Sequence, residues 1–311
     1  MTKLKSADIK TVRSMNAIGQ IGWTADKYLN SLVDTKESTV ELYEQQLQYC
    51  LQFFGTDKPM ETISLFDLES FQKYVLANHK PSTTISIIKT TKRLFTYAYR
   101  HNLIEVNPFD RFQMVKDKDK EIKYIPTVAE IKTILNYAFG NASTIESLKK
   151  AIVLETILTT ANRLQETLLI EWKDIDLDNL TITLTADSTK TTKKVVKVID
   201  ESLADKFRIL KQYSNCSYVF STKNRKPMPK QNVQRYLKSI LKECNIMTPV
   251  TCHSFRRFTV SNYVAKGGNV EYASKQLCNH ASIATTERFY LEPDTTNMKE
   301  DVRSFLNNKP W

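Results

Sequence analysis

Between Cys252 and Tyr290 the sequence reads C-H-S-F-R-R-F-T-V and later L-C-N-H-A-S-I-A-T-T-E-R-F-Y, which gathers His253, Arg256, His280, Phe289 and Tyr290. Two of the four histidines of the chain fall in this stretch. His253 and Arg256 are three residues apart, so on a helix they share a face. Histidine moves a proton or donates to an oxyanion near neutral pH. Arginine clamps a phosphate through parallel hydrogen bonds, and a tyrosine hydroxyl can attack as a nucleophile. Together these side chains suit a phosphodiester. Upstream, Arg163 and Glu166 stand at i, i+3 in T-T-A-N-R-L-Q-E-T-L, and Lys190 sits in T-K-T with Lys193 and Lys194 close behind. Taken singly, each has a plainer reading. An Arg–Glu pair on a surface contributes under ~1 kcal/mol, and a lysine in a polar turn ordinarily serves solubility.

Taken jointly, H-x-x-R followed by L-x-x-H-x-x-I-x-x-T-x-x-x-Y resembles the C-terminal box of the tyrosine recombinases, the phage integrase family. The segment Thr159–Leu168 resembles the first arginine box of that family, and Thr189–Thr191 resembles the hairpin carrying its lysine. The resemblance covers roughly residues 20–307. It implies that Arg163, Arg256 and His280 stabilise charge on the phosphate, that Glu166 orients the Arg163 region, that Lys190 protonates the departing 5′-oxygen, with Lys193 and Lys194 as competitors, and that His253 manages the proton of the nucleophile. It implies a 3′-phosphotyrosyl intermediate, formed with neither metal nor ATP and no other cofactor. One position departs from the pattern. The family tyrosine lies nine residues after the second histidine, where this chain has Phe289, and Tyr290 is one further on. Adjacent helical residues point about 100° apart, so Tyr290 does not simply fill the slot of residue 289. Either the local backbone shifts by one residue and Tyr290 attacks, or Phe289 replaces a tyrosine. The closeness of T-E-R-F-Y to T-E-R-Y favours replacement.

The elements that must position these residues are legible to different degrees. A chain of 311 residues points to about two domains. With 45 Lys+Arg against 34 Asp+Glu, the net charge of +11 favours a polyanionic partner over a neutral or acidic one. Five scattered cysteines without a C-x-x-C pair indicate neither zinc nor a disulfide framework, and a reducing cytoplasm, at the nucleoid, is expected. No apolar run approaches ~18 residues, and the first twenty residues lack the apolar core of a signal peptide. The expected fold is mainly α with a small antiparallel β-sheet. A helical core-binding domain and an integrase-type catalytic domain would form a clamp around DNA.

The expected boundaries are a basic leader over 1–20, a helical DNA-binding domain over 21–112, a linker over 113–124, a catalytic domain over 125–295 and a C-terminal helix over 296–311. In the first domain Thr24 is read as the cap of a short helix through Leu32. Ser38 with Glu41, and Ser64 with Asp67, read as capping boxes, and Gly55 as a stop. Pro81 and Ser82 are read as preceding the fourth helix, on which Lys89, Lys92, Arg93 and Arg100 share a face. That face is either merely solvated or follows DNA phosphates. In the second domain Thr127 with Glu130 caps a helix. The helix from Ile145 carries Leu154, Ile157, Leu158 and Ala161 on one stripe. Alternation suggests strands at Leu180–Leu184 and at Val196 and Val198, with Val219 and Phe220 as a third. Lys223 and Arg225 lie in a basic loop. Gln231, Gln234, Arg235 and Lys238 line the outer side of an amphipathic helix over 232–244, placed to read base edges. Gly267 and Gly268 are expected to end the helix begun at His253.

Met298, Val302, Phe305 and Leu306 form a terminal amphipathic stripe, expected either to pack on its own domain or, as the resemblance implies, to join copies into a dimer or tetramer on double-stranded DNA recombination sites. The rival readings are a type IB-like topoisomerase, which reseals the same strand, and a catalytically silent DNA-binding protein of the same fold. An Xer-like or transposon-borne enzyme fits better than a phage integrase with a separate arm-binding domain, since no such extra domain is evident.

Overall fold

Starts and stops written into the sequence delimit four helices in the first half of the chain: α1 (Ile21–Asn30), α2 (Glu37–Phe54), α3 (Leu65–Asn78) and α4 (Pro81–Arg100). The computed structural model describes residues 17–117, 124–184 and 195–278. It divides into two units, Met1–Glu121 and Ile122–Trp311. In the first, Gly55 ends α2 with a φ of 85°, a conformation that costs glycine no steric strain. The Ser64–Asp67 capping box opens α3 as expected. Three local readings are corrected. Thr24 is buried inside α1, where its hydroxyl donates to the Gln20 carbonyl at 2.9 Å; the helix starts earlier because extended Gln20 pairs with Pro59. Ser38 and Glu41 lie within α2, whose N-cap is Lys36. Pro81 is the first residue of α4, where its fixed φ suits a helix start. Leu47, Leu68, Phe71, Ile88 and Phe95 fill the core of this unit. The Gln72 amide donates to the Gln113 carbonyl and accepts from the Val115 N–H, which fastens the chain leaving this unit to α3.

The second unit contains α5 (Val128–Gly140), α6 (Ile145–Thr160), α7 (Leu164–Leu168), α8 (Glu201–Gln212), α9 (Lys230–Glu243) and α10 (Cys252–Ala265). After Gly267, α11 (Val270–Tyr272) runs into a π turn over Ala273–Leu277. Helix α6 is its centre: Ala151, Ile152, Val153, Leu154, Thr156 and Ile157 are all fully buried. Each of the buried Ile, Val and Leu side chains contributes about 1.5–3 kcal/mol. Ala161 is not on this stripe. It is the residue after the helix, in the left-handed region at φ 54°, and turns the chain sharply toward Arg163.

The antiparallel sheet is β1 (Ile175–Asp176), β2 (Thr181–Leu184) and β3 (Val195–Val198), in that order. Two expectations fail here. Val219 and Phe220 are core residues but form no strand of this sheet; the third strand is β1. Val196 and Val198 face outward, 48% and 66% exposed, while Val195 and Lys197 face inward. The pairing of Lys197 with Ile182 and of Val195 with Leu184 puts these residues on the face of β2 that is buried.

Glu130 joins the start of this unit to the approach to α10. Its carboxylate accepts from the Thr127 N–H at 2.7 Å, completing the capping box, and from the hydroxyls of Tyr124 at 2.7 Å and Thr248 at 2.5 Å. Burial pushes this carboxyl up, but the bonds from Thr248, Tyr124 and Thr127 outweigh it and hold its pKa down to about 2. A depressed carboxylate stabilises the fold above its unfolded pKa, near 4.5, and loses that contribution as pH falls toward 2. Glu130→Gln is therefore expected to lower stability to urea at pH 7 by about 1–2 kcal/mol. The difference from the parent chain should shrink steadily as pH drops from 4.5 to 2; a difference independent of pH would refute the role of the charge.

Candidate active site

Arg163 is brought to the surface by the Ala161 turn and serves as the N-cap of α7, the short helix that carries Glu166. Its backbone N–H donates to one oxygen of the Glu166 carboxylate at 2.8 Å, and its Nη1 donates to the other at 2.6 Å. Glu166 is buried, whereas Arg163 stays about a third exposed at its side chain. The second arginine comes from α10. This helix starts at Thr251, whose hydroxyl accepts the Ser254 N–H in a capping box that reading from His253 had missed. One turn in, Arg256 is the largest fully buried side chain among the described residues, 1% exposed. It donates through Nη1 to the Ala161 carbonyl and through Nη2 to the Cys278 carbonyl, and its Nη1 lies 4.0 Å from the Glu166 carboxylate. One buried carboxylate thus faces two guanidinium groups from different helices. His253 shares α10 with Arg256 and is exposed.

Arg163 and His253 line one cavity of about 610 Å³. Lys238 and Gln234 of α9 line it as well. Asn162 also lines it; its amide is buried, and neither end has a hydrogen-bond partner among the described residues. Beneath the two arginines Lys197 reaches in from β3 and donates to the Leu277 carbonyl at 2.9 Å. Burial and the nearby charge of Arg256 push this ammonium down to about 7, with Arg163 adding to the effect and Cys278 and Glu166 opposing it. Sequence reading missed Lys197, because V-V-K-V reads most simply as two buried valines with the lysine outside. Lys190, with its competitors Lys193 and Lys194, and His280, Phe289 and Tyr290 lie outside the described residues, as does the stripe of Met298, Val302, Phe305 and Leu306.

A second basic surface lies on the first unit. Lys89, Lys92, Arg93 and Arg100 are all exposed on α4 and line one cavity of about 640 Å³ together with Tyr28 and Tyr97. The Arg93 guanidinium lies 5.0 Å from the centre of the Tyr43 ring, a cation–π contact that holds it in place. Lys223 and Arg225 are exposed in the loop before α9, and Arg235 is exposed on α9 itself. Among the described residues no helix is long and apolar enough to cross a membrane.

The model of the phage integrase family matches residues 127–297, more than half of the chain. The chain belongs to the phage integrase family. It is a tyrosine recombinase, and its chemistry is the site-specific cleavage and rejoining of DNA strands. A tyrosine recombinase from Agathobacter rectalis is 22% identical over 81% of this chain and 85% of its own length. Among solved structures, the Tn1549 transposon integrase in complex with a circular intermediate DNA superposes with a TM-score of 0.77, covering 92% of this chain and 99% of the other at 18% identity. A lambda integrase tetramer bound to a Holliday junction superposes with a TM-score of 0.70, over 91% of this chain and 82% of that one, also at 18% identity. These likenesses bear out the mainly helical fold with its small antiparallel sheet.

Proposed function

We propose that this recombinase holds the scissile phosphate between Arg163 and Arg256, with His280 completing the set, and that Glu166 aligns the two arginines. The observation that carries this reading is the single buried Glu166 carboxylate facing both guanidinium groups. Electrostatic stabilisation of a pentavalent phosphate is typically the largest catalytic contribution, and loss of one such donor costs about 10²–10³ in rate. His253, exposed beside Arg163, manages the proton of the nucleophile, and Lys190 protonates the departing 5′-oxygen. The tyrosyl oxygen attacks phosphorus, the bond to the 5′-oxygen breaks, and the 3′-phosphotyrosyl bond keeps the linkage energy until a 5′-hydroxyl from the partner duplex attacks in turn. The basic stripe of α4 binds the phosphates of the duplex, as do Lys223, Arg225 and Arg235 of the second unit. With DNA as substrate, the site of action is the cytoplasm, at the nucleoid.

Neighbouring copies assemble as dimers and tetramers on paired sites through the stripe of Met298, Val302, Phe305 and Leu306. A groove of about 620 Å³, lined by Leu135 of α5, Leu158 of α6 and Phe258 and Tyr263 of α10, offers an apolar seat of suitable chemistry. Deletion of residues 296–311 is expected to leave binding to a single site intact and to abolish cooperative binding to paired sites in a mobility-shift assay. Cooperative assembly by the shortened chain would instead mean that the stripe packs on its own copy.

Phosphate contact by α4 has its own signature. Replacing Lys89 and Lys92 with alanine should weaken binding to all sequences alike and reduce the salt slope of log K by about 1–2. An unchanged slope would mean that these lysines only face solvent.

The nucleophile decides whether this chain cleaves. With phenylalanine at 289, it is expected to bind DNA and to form no covalent adduct on a nicked suicide substrate, and Phe289→Tyr is expected to restore the adduct. A phosphotyrosyl peptide mapped to Tyr290 in the present sequence would overturn this assignment and make Tyr290 the attacking residue.

A further inference from the structure

Lys197 occupies a position that hydrophobicity alone would not give it. On β3 the outward residues are Val196 and Val198, and the inward ones are Val195 and Lys197, the latter 3% exposed. Burying an ammonium costs several kcal/mol unless polar groups receive it. What receives this one is the Leu277 carbonyl at 2.9 Å, at the end of the helical segment begun at Val270. The last carbonyls of a helical segment lack internal partners and carry partial negative charge. The next carbonyl, that of Cys278, accepts from Nη2 of Arg256. Two consecutive carbonyls are therefore gripped by two cations, one from β3 and one from α10. Among the described residues, Cys278, Glu166 and Arg163 also act electrostatically on Lys197.

The chain positions on either side of this grip matter for the chemistry. Strand β3 is the return strand of the hairpin whose connecting residues include Lys190, and Cys278 stands two residues before His280. We propose that Lys197 is a positioning residue of the recombination site, which pins the Leu277–Cys278 turn, two residues before His280 in the sequence, to β3 and to the helix that carries Arg256. Lys197 does not touch the phosphate; it acts through the carbonyl it holds. The link to catalysis rests on the roles proposed above for His280 and Lys190, whereas the grip itself rests on geometry alone.

Lys197→Met keeps the length and the apolar stem and removes every donor. In the full-length variant, backbone amide exchange followed by mass spectrometry is expected to speed up by about 10-fold or more in peptides covering residues 277–282, with peptides from α6 unchanged. Affinity for a recombination-site duplex should stay within about twofold, while single-turnover cleavage of the bound substrate falls by about 10²-fold, the effect expected of a displaced catalytic group. Cleavage is read in whichever chain, the present one or Phe289→Tyr, forms the adduct. Unchanged exchange beyond Leu277 overturns the proposal, and so does faster exchange with undiminished cleavage. If the methionine variant does not fold, Lys197→Gln is put to the same measurements. If neither chain forms an adduct, the fault lies with the nucleophile assignment, and the exchange data still decide whether Lys197 pins the turn.

Discussion

A carboxylate shut away from water between two guanidinium groups fixes the geometry on which the rest of this molecule depends. Glu166 has its backbone and side-chain partners in Arg163 at 2.8 and 2.6 Å, and the far more deeply buried Arg256 stands 4.0 Å away. Charges in such a place are costly unless all are satisfied. Here each is: Arg256 also spends its donors on the carbonyls of Ala161 and Cys278. The result is a buried Arg256 that cannot swing away to seek other partners. Arg163, the more exposed of the two, keeps the freedom to meet a substrate.

Exposed cations and the buried charged cluster lie in different units of the chain. The first unit offers exposed cations on α4, arranged on a helix that owes its rigidity to a buried aromatic and aliphatic core. The second unit places its working groups at helix starts, at the turn after α6 and at the first turn of α10, where backbone direction changes and side chains converge. Arg93 joins this exposed stripe to the packing of the unit, since the ring of Tyr43 holds its guanidinium.

Features whose partners lie close in sequence were legible in advance. The Ser64–Asp67 and Thr127–Glu130 boxes and the Gly55 stop are short-range patterns, and the structure contains all three. Thr24 and Ser38 misled because hydroxyl residues that cap helices also occur inside them, where Thr24 bonds back to Gln20. The register of β3 was illegible for a different reason: V-V-K-V alternates equally well in either sense, and what decides it is pairing with β2 and a carbonyl 80 residues away. The same holds for the site. His253 and Arg256 were recognisable by type and spacing and Arg163 and Glu166 through the family resemblance, and the fold gathers them. Their supports, the left-handed Ala161 and the inward Lys197, carry no local signal.

The bond from Arg256 to the Ala161 carbonyl spans 95 residues, and it has a consequence for synthesis. Helix α6 and its turn leave the ribosome long before α10 does. At about 5–20 residues per second the interval amounts to several seconds or more. During it, the four-helix unit can already fold around its own core, and a half-made chain can already carry the cations of α4. The pair of arginines that would act on a phosphodiester does not yet exist. A nascent chain of this kind therefore holds the Ala161 carbonyl without its buried guanidinium until α10 has followed, so the centre of the second unit closes late.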